Sequence, residues 1–256
     1  MGFIGVQPAS VPLTASDITN DIINADKIAD NSISEEHLDP TVITGLSALG
    51  AEPADTDEFL ISDAGTLKRM DYSYIKGGGG LIHIKTQTAS NSSSIDFNHG
   101  SSDVILDSTY NKYCFMIDIK PANDNVTPQL LMSTNAGSSY LSSDYVFTMD
   151  GCEAGGSHFE RDSGGDSQME IAPQTQGNAS DEHMSLTMYL SSPARASSHK
   201  YFYFMGVHAD PVGNVTNYQG AGSNYGDTNA VTGVRFKFSA GNIELGTIGL
   251  FGVANS

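Results

Sequence analysis

Five ring-bearing side chains lie in polar, loop-like stretches of the chain: Tyr140, His158, Phe159, Tyr218 and Tyr225. Asp144, Asp162, Asn217 and Asn224 are near them in sequence. A ring exposed beside carboxylates and amides suits a sugar, because the ring covers an apolar pyranose face while the polar groups engage its hydroxyls. Carbohydrate binding is therefore the chemistry these residues point to. The competing reading is that the rings cover loop edges or subunit contacts. Catalysis lacks its residue sets, since no GxSxG, HExxH or Walker loop occurs. The segment GCEAGG at 151–156 has neither the lysine nor the strand-to-helix setting of a phosphate loop. The seven histidines, His37, His83, His99, His158, His183, His199 and His208, stand singly and never two or four residues apart. Zinc ligation is unsupported by that spacing, and the sequence calls for no metal and no cofactor. Asn123-Asp124-Asn125 lacks the spaced carboxylates of a calcium loop and reads as a tight turn after Pro121.

A second set of residues carries assembly rather than chemistry. Leu13, Ile18, Ile23, Ile28, Ile33, Leu38 and Ile43 place an aliphatic side chain at every fifth position, separated mostly by Asp, Asn, Ser and Thr. Five residues along an α-helix turn the side chain by about 140°, and five along a flat strand invert it. Neither element gathers this row on one face. It becomes continuous if each unit turns a corner, as in a solenoid, or if several chains wind around an axis. Six units are few for a solenoid with its caps, so an intertwined oligomer is the expected form.

The charge balance narrows the partners. Thirty acidic and 12 basic residues give a net charge of −18. Residues 1–76 carry 13 acidic and 4 basic side chains, and residues 81–256 carry 17 and 8, so each part is −9. Neither offers the Lys/Arg cluster that would bind nucleic acid or an anionic membrane. No apolar run reaches the ~20 residues of a membrane helix. The N-terminus, MGFIGVQPASVPLT, lacks a signal peptide's basic head and apolar stretch, so synthesis and assembly in a cytoplasm are expected. The two cysteines, Cys114 and Cys152, form no CxxC pair. Cys114 lies in an apolar run and is expected as a buried free thiol, with a Cys114–Cys152 bridge as the alternative.

The elements follow from local patterning. Residues 1–12, with Pro8 and Pro12, read as an extended arm. Asp39 as N-cap, Pro40 at N1, the stripe Val42, Leu46 and Leu49, and Gly50 as terminator predict a helix of about ten residues. EFLIS (58–62) and LKRMDY (67–72) flank Asp63-Ala64-Gly65-Thr66 and predict a β-hairpin. Gly77–Gly80 would form a hinge spanning about 11 Å. The expected domains are 1–50 (arm, pentad segment and helix), 51–76 (hairpin), 77–80 (hinge) and 81–256. Beyond the glycines, strand patterns recur at 81–88, 112–120, 128–134, 144–149, 184–190, 200–207, 230–238 and 246–253. Within 200–207, Tyr201 and Tyr203 alternate with Phe202 and Phe204, so one pair faces the core and the other solvent or a trimer interface. The predicted fold is mainly β, with an extended trimeric N-terminal segment and an antiparallel β-sandwich of jelly-roll type. Residues 150–182 read as a long Gly/Ser-rich surface loop.

The stretches IGVQPASVPLTASDI, ITNDIINADKIADNSIS and EFLISDAGTLKRMDYSYIKG resemble the N-terminal modules of tail-fibre and related structural proteins of marine tailed bacteriophages. VTGVRFKFSAGNIELGTIGLFGV, with glycines at Gly246, Gly249 and Gly252, is similar to the closing strands of a β-sandwich in the same proteins, and YNKYCFMIDIKPANDNVTPQLLMSTNAGSSY also fits that domain. The resemblance covers 1–76 and about 110–253. It implies a homotrimeric virion appendage with its N-terminus on the particle, where it meets other virion proteins (tail, adaptor or capsid). Its outer domain would meet host cell-surface polysaccharide or protein. The same modules occur in tail fibres, head fibres and baseplate parts. A purely architectural head-fibre or collar role is thus the alternative to host attachment, and a glycan-cutting enzyme is the more distant one.

Overall fold

In a computed structural model of the chain, the described residues are 14, 18, 25–29, 32–34, 37–75 and 80–254. The arm 1–12, Leu13, Ile23 and Gly77–Gly79 lie outside them. The chain divides into two compact units between Lys76 and Gly77.

In the smaller unit a 3-10 turn, Ala25–Lys27, precedes α1 (Thr41–Thr44), β1 (Glu58–Asp63), β2 (Thr66–Asp71) and α2 (Tyr72–Ile75). The hairpin pairs Glu58 with Asp71 through Asp63 with Thr66. Its turn residues Ala64 (φ 49°) and Gly65 (φ 83°) are both left-handed, the conformation that matches the twist of the flanking strands. The expected ten-residue helix is shortened to one turn. Asp39 Oδ1 still accepts from the Thr41 amide at 2.7 Å, but the helix stops at Gly45. Val42, Leu46 and Leu49 all stay exposed. A helix this short is held only by packing its apolar face, and among the described residues that face stays uncovered.

The larger unit contains β3 (Leu81–Ser92), β4 (Ile95–Asn98), β5 (Lys112–Pro121), β6 (Pro128–Ser133), β7 (Tyr145–Glu153), β8 (His158–Asp166), β9 (Met169–Glu170), β10 (Met184–Ser191), β11 (Phe202–Ala209), β12 (Val215–Asn224), β13 (Gly233–Phe238) and β14 (Ile243–Val253). One sheet has the order β3-β14-β5-β10-β11-β12-β7-β8, the other β4-β13-β6-β9. Every pairing is antiparallel. The sheets enclose one apolar core, as in a β-sandwich. The rings of Phe97 (β4), Phe115 (β5) and Phe236 (β13) join them, with centroids 5.2 to 6.4 Å apart. Alternation sets each face: along β10, Met184, Leu186, Met188 and Leu190 are buried while Ser185, Thr187, Tyr189 and Ser191 are not.

The segment 150–182 is not one long loop. It contains the end of β7, all of β8, and β9, so most of it is a hairpin on the edge of the larger sheet. The glycines in the last strand have two distinct causes. At Gly246 (φ 119°) a Cβ would meet the Asp118 carbonyl oxygen at 2.2 Å, a close approach to a neighbouring backbone. At Gly249 and Gly252 it would meet the rings of Phe251 and Tyr110. Both cysteines are free. Cys114 on β5 and Cys152 on β7 are four strands apart in the sheet, roughly 19 Å, too far for a bridge. Burial pushes the Cys114 thiol pKa up.

Candidate ligand-binding face

The outward face of the eight-stranded sheet carries the candidate site. Register aligns its side chains in rows across the strands. One row runs Cys114, Tyr189, Tyr203, Ala221, Thr148, Asp162. The next runs Met116, Thr187, Met205, Gln219, Asp150, Glu160. Phe202 and Phe204 on β11 point into the core, leaving Tyr203, Met205 and, just before the strand, Tyr201 outward, 42%, 64% and 51% exposed.

Tyr203 organises the centre of this face. One side of its ring stacks on Tyr189, centroids 4.9 Å apart and planes 13° from parallel. Lys112 places its ammonium 5.4 Å from the Tyr203 centroid and donates to the Tyr203 hydroxyl at 3.4 Å. The ring is thereby held upright on the sheet. It forms a wall of a depression of about 370 Å³, whose lining includes Ala221, Thr148, Asp150 and Gln219. A second depression shares Thr148 and Ala221 and is bordered by Tyr201 and Tyr225. A third shares Asp150 and Gln219 and is bordered by Asn217 and His158. Together they form a groove along the β12–β7 pair. The strand from Val215 to Ser223 beneath it spans roughly 27 Å.

The residues singled out from sequence divide between this groove and other places. His158, Tyr225, Asn217 and Asp162 reach the face or its rim; Asp162 stands opposite Thr148 on β8. Tyr225 is 56% exposed and tilts its ring against His199 at 4.8 Å. Phe159 pairs with Gly151, one residue out of phase with His158, and so takes the opposite face. Tyr140 is not an open platform. Its hydroxyl donates to Asn98 Oδ1 at 2.9 Å, and the Arg235 guanidinium covers the ring at 4.0 Å. Burial raises its pKa. Tyr218 is corrected outright, because it lies on β12 with 1% exposure against Phe204 and His208, as a core ring rather than a loop ring. Asn224 is buried and supports the β7 entry loop, its amide donating to the Ser143 carbonyl at 2.5 Å. Asp144, in a left-handed turn at φ 63°, accepts from the Ser143 hydroxyl at 2.6 Å.

Thr148, Asp150, Tyr203 and Gln219 were missed as site residues. Their signal is the alternation of three strands, β7, β11 and β12, the last of which reads VTNYQGAGSN and resembles a loop. Its glycines answer to packing: a Cβ at Gly220 would fall 2.6 Å from both Met149 and Phe204. No protein-family model, curated protein or solved structure matches the chain.

Proposed function

We propose that the chain is a structural protein of a bacteriophage virion, a homotrimeric tail fibre. Its N-terminal segment attaches to the particle, meeting other virion proteins, and its larger unit contacts the host surface through the groove beside Tyr203. The observation that carries this reading is the state of the aliphatic ladder. Ile18, Ile28, Ile33, Leu38 and Ile43, every member among the described residues, are 39% to 77% exposed in one chain. Each is worth about 1.5–3 kcal/mol when fully buried, which favours a partner along the ladder, and further copies of the same segment provide it.

The strand pairing supports a jelly roll for the larger unit. Setting aside the hairpins β7–β8 and β11–β12, eight strands remain: β3, β4, β5, β6, β9, β10, β13 and β14. They pair first with last, second with seventh, third with sixth and fourth with fifth, namely β3–β14, β4–β13, β5–β10 and β6–β9. That is the pairing of one long ribbon wrapped around a core, the geometry behind two successive Greek keys. Three such units on one axis would present three grooves, so weak single contacts would combine through effective concentration into durable attachment.

Sedimentation of the full chain tests the assembly. The expected mass is three times 27.1 kDa, and Ile28→Ser with Ile33→Ser and Leu38→Ser shifts the protein to single subunits. A compact, stable single subunit of the unaltered chain overturns the proposal.

A further inference from the structure

The chemistry of the groove narrows the class of ligand, and this step rests on the attachment reading above. We infer that the groove takes a linear, uncharged polysaccharide, and that anionic glycans are excluded from it. Three observations combine. The first is shape: the three depressions run end to end over roughly 27 Å of strand, which fits several consecutive sugar units rather than one small molecule. The second is the wall. The free side of the Tyr203 ring is an upright apolar plane beside the small side chain of Ala221, leaving room for a pyranose to stack edge-down on the sheet.

The third observation is charge. Asp150 lies in the groove, and Glu160 and Asp162 flank it on β8, in register with Asp150 and Thr148. No Lys or Arg lines the three depressions. The nearby cations, Lys112 beside the Tyr203 wall and Arg161 in an adjoining depression that shares Thr148 and Asp150, each have a partner already. Lys112 is directed onto the two tyrosine rings, and the Arg161 guanidinium is paired with Glu170 at 2.8 Å. Carboxylates only accept, while Thr148, Gln219 and Asn217 both donate and accept. The groove thus requires a ligand rich in O–H donors. Uronate or sulfate groups would bring acceptors and like charge against Asp150.

Affinity electrophoresis of the full chain tests this, in gels cast with dextran, galactomannan or laminarin as neutral polymers and alginate or polygalacturonate as anionic ones. The expected result is retardation by at least one neutral polymer and by neither anionic one. Tyr203→Ala should weaken the retardation by about tenfold. Ala221→Trp, which fills the groove without removing a wall, should do the same. Retardation by the anionic polymers alone, or retardation indifferent to both variants, overturns the inference while leaving the attachment reading standing. No retardation by any polymer, together with loss of cell adsorption in Ala221→Trp, overturns the polysaccharide class and keeps the face as the attachment surface. No retardation, with adsorption unchanged by that variant, overturns both.

Discussion

His208 lies on β11, 1% exposed, with neither ring nitrogen bonded to a protein group. Burial drives its pKa down to about 4, and the nearby Asp210 carboxylate only partly opposes this. The unfolded chain, with an imidazole near 6.5, therefore binds the proton first as the solution is acidified. The stability His208 allows is complete above about pH 6.5 and is lost as the pH falls toward 4. Between pH 7 and pH 5 the expected loss is on the order of 2 kcal/mol. Urea titrations at both values, on the native chain and on His208→Phe, check this: the variant should lose most of that difference. At this scale the sequence was only partly legible. Tyr218 and Tyr225 look alike in a polar stretch, and only the pairing partners, Gly206 for one and a loop for the other, separate core from rim.

Among the elements, strands with continuous apolar or alternating patterns were legible: β5, β10, β11 and β14 could be read directly from KYCFMIDIK, MSLTMYL, KYFYFMGV and GTIGLFGV. The strands that escaped are β4, β8, β9 and β12. β4 and β9 are too short to show a period. β8 sits at a sheet edge with charges on both faces, and β12 spends two inward positions on glycines that make room for Met149, Phe204 and Met169. The helix failed for a different reason: it begins after Pro40 and ends at Gly45 instead of Gly50, and its stripe Val42, Leu46 and Leu49 stays exposed among the described residues. The bond between the two sheets is testable at Phe236, where three rings meet. Phe236→Ala should cost about 3–5 kcal/mol, measured as a lowered denaturant midpoint, whereas Tyr203→Ala on the outer face should leave that midpoint nearly unchanged.

At the scale of the whole molecule, the two units differ in what they bury. Among its described residues the smaller has no buried hydrophobic side chain and exposes most of its aliphatic ones. The larger closes a complete core within one chain. The ladder variants should accordingly separate the two properties: Ile28→Ser, Ile33→Ser and Leu38→Ser should abolish oligomers in sedimentation while the thermal transition of the larger unit persists. The five-residue period was legible from sequence as a row that no single helix or strand gathers on one face, yet nothing in it specifies a number of copies. The two hairpins β7–β8 and β11–β12 have a further consequence. They supply most of the groove, yet they are spliced between strands that pair without them. On the attachment reading proposed above, selection could rewrite the groove, lengthening or recolouring these ornaments to follow a changing host, while the eight-strand chassis beneath stays fixed.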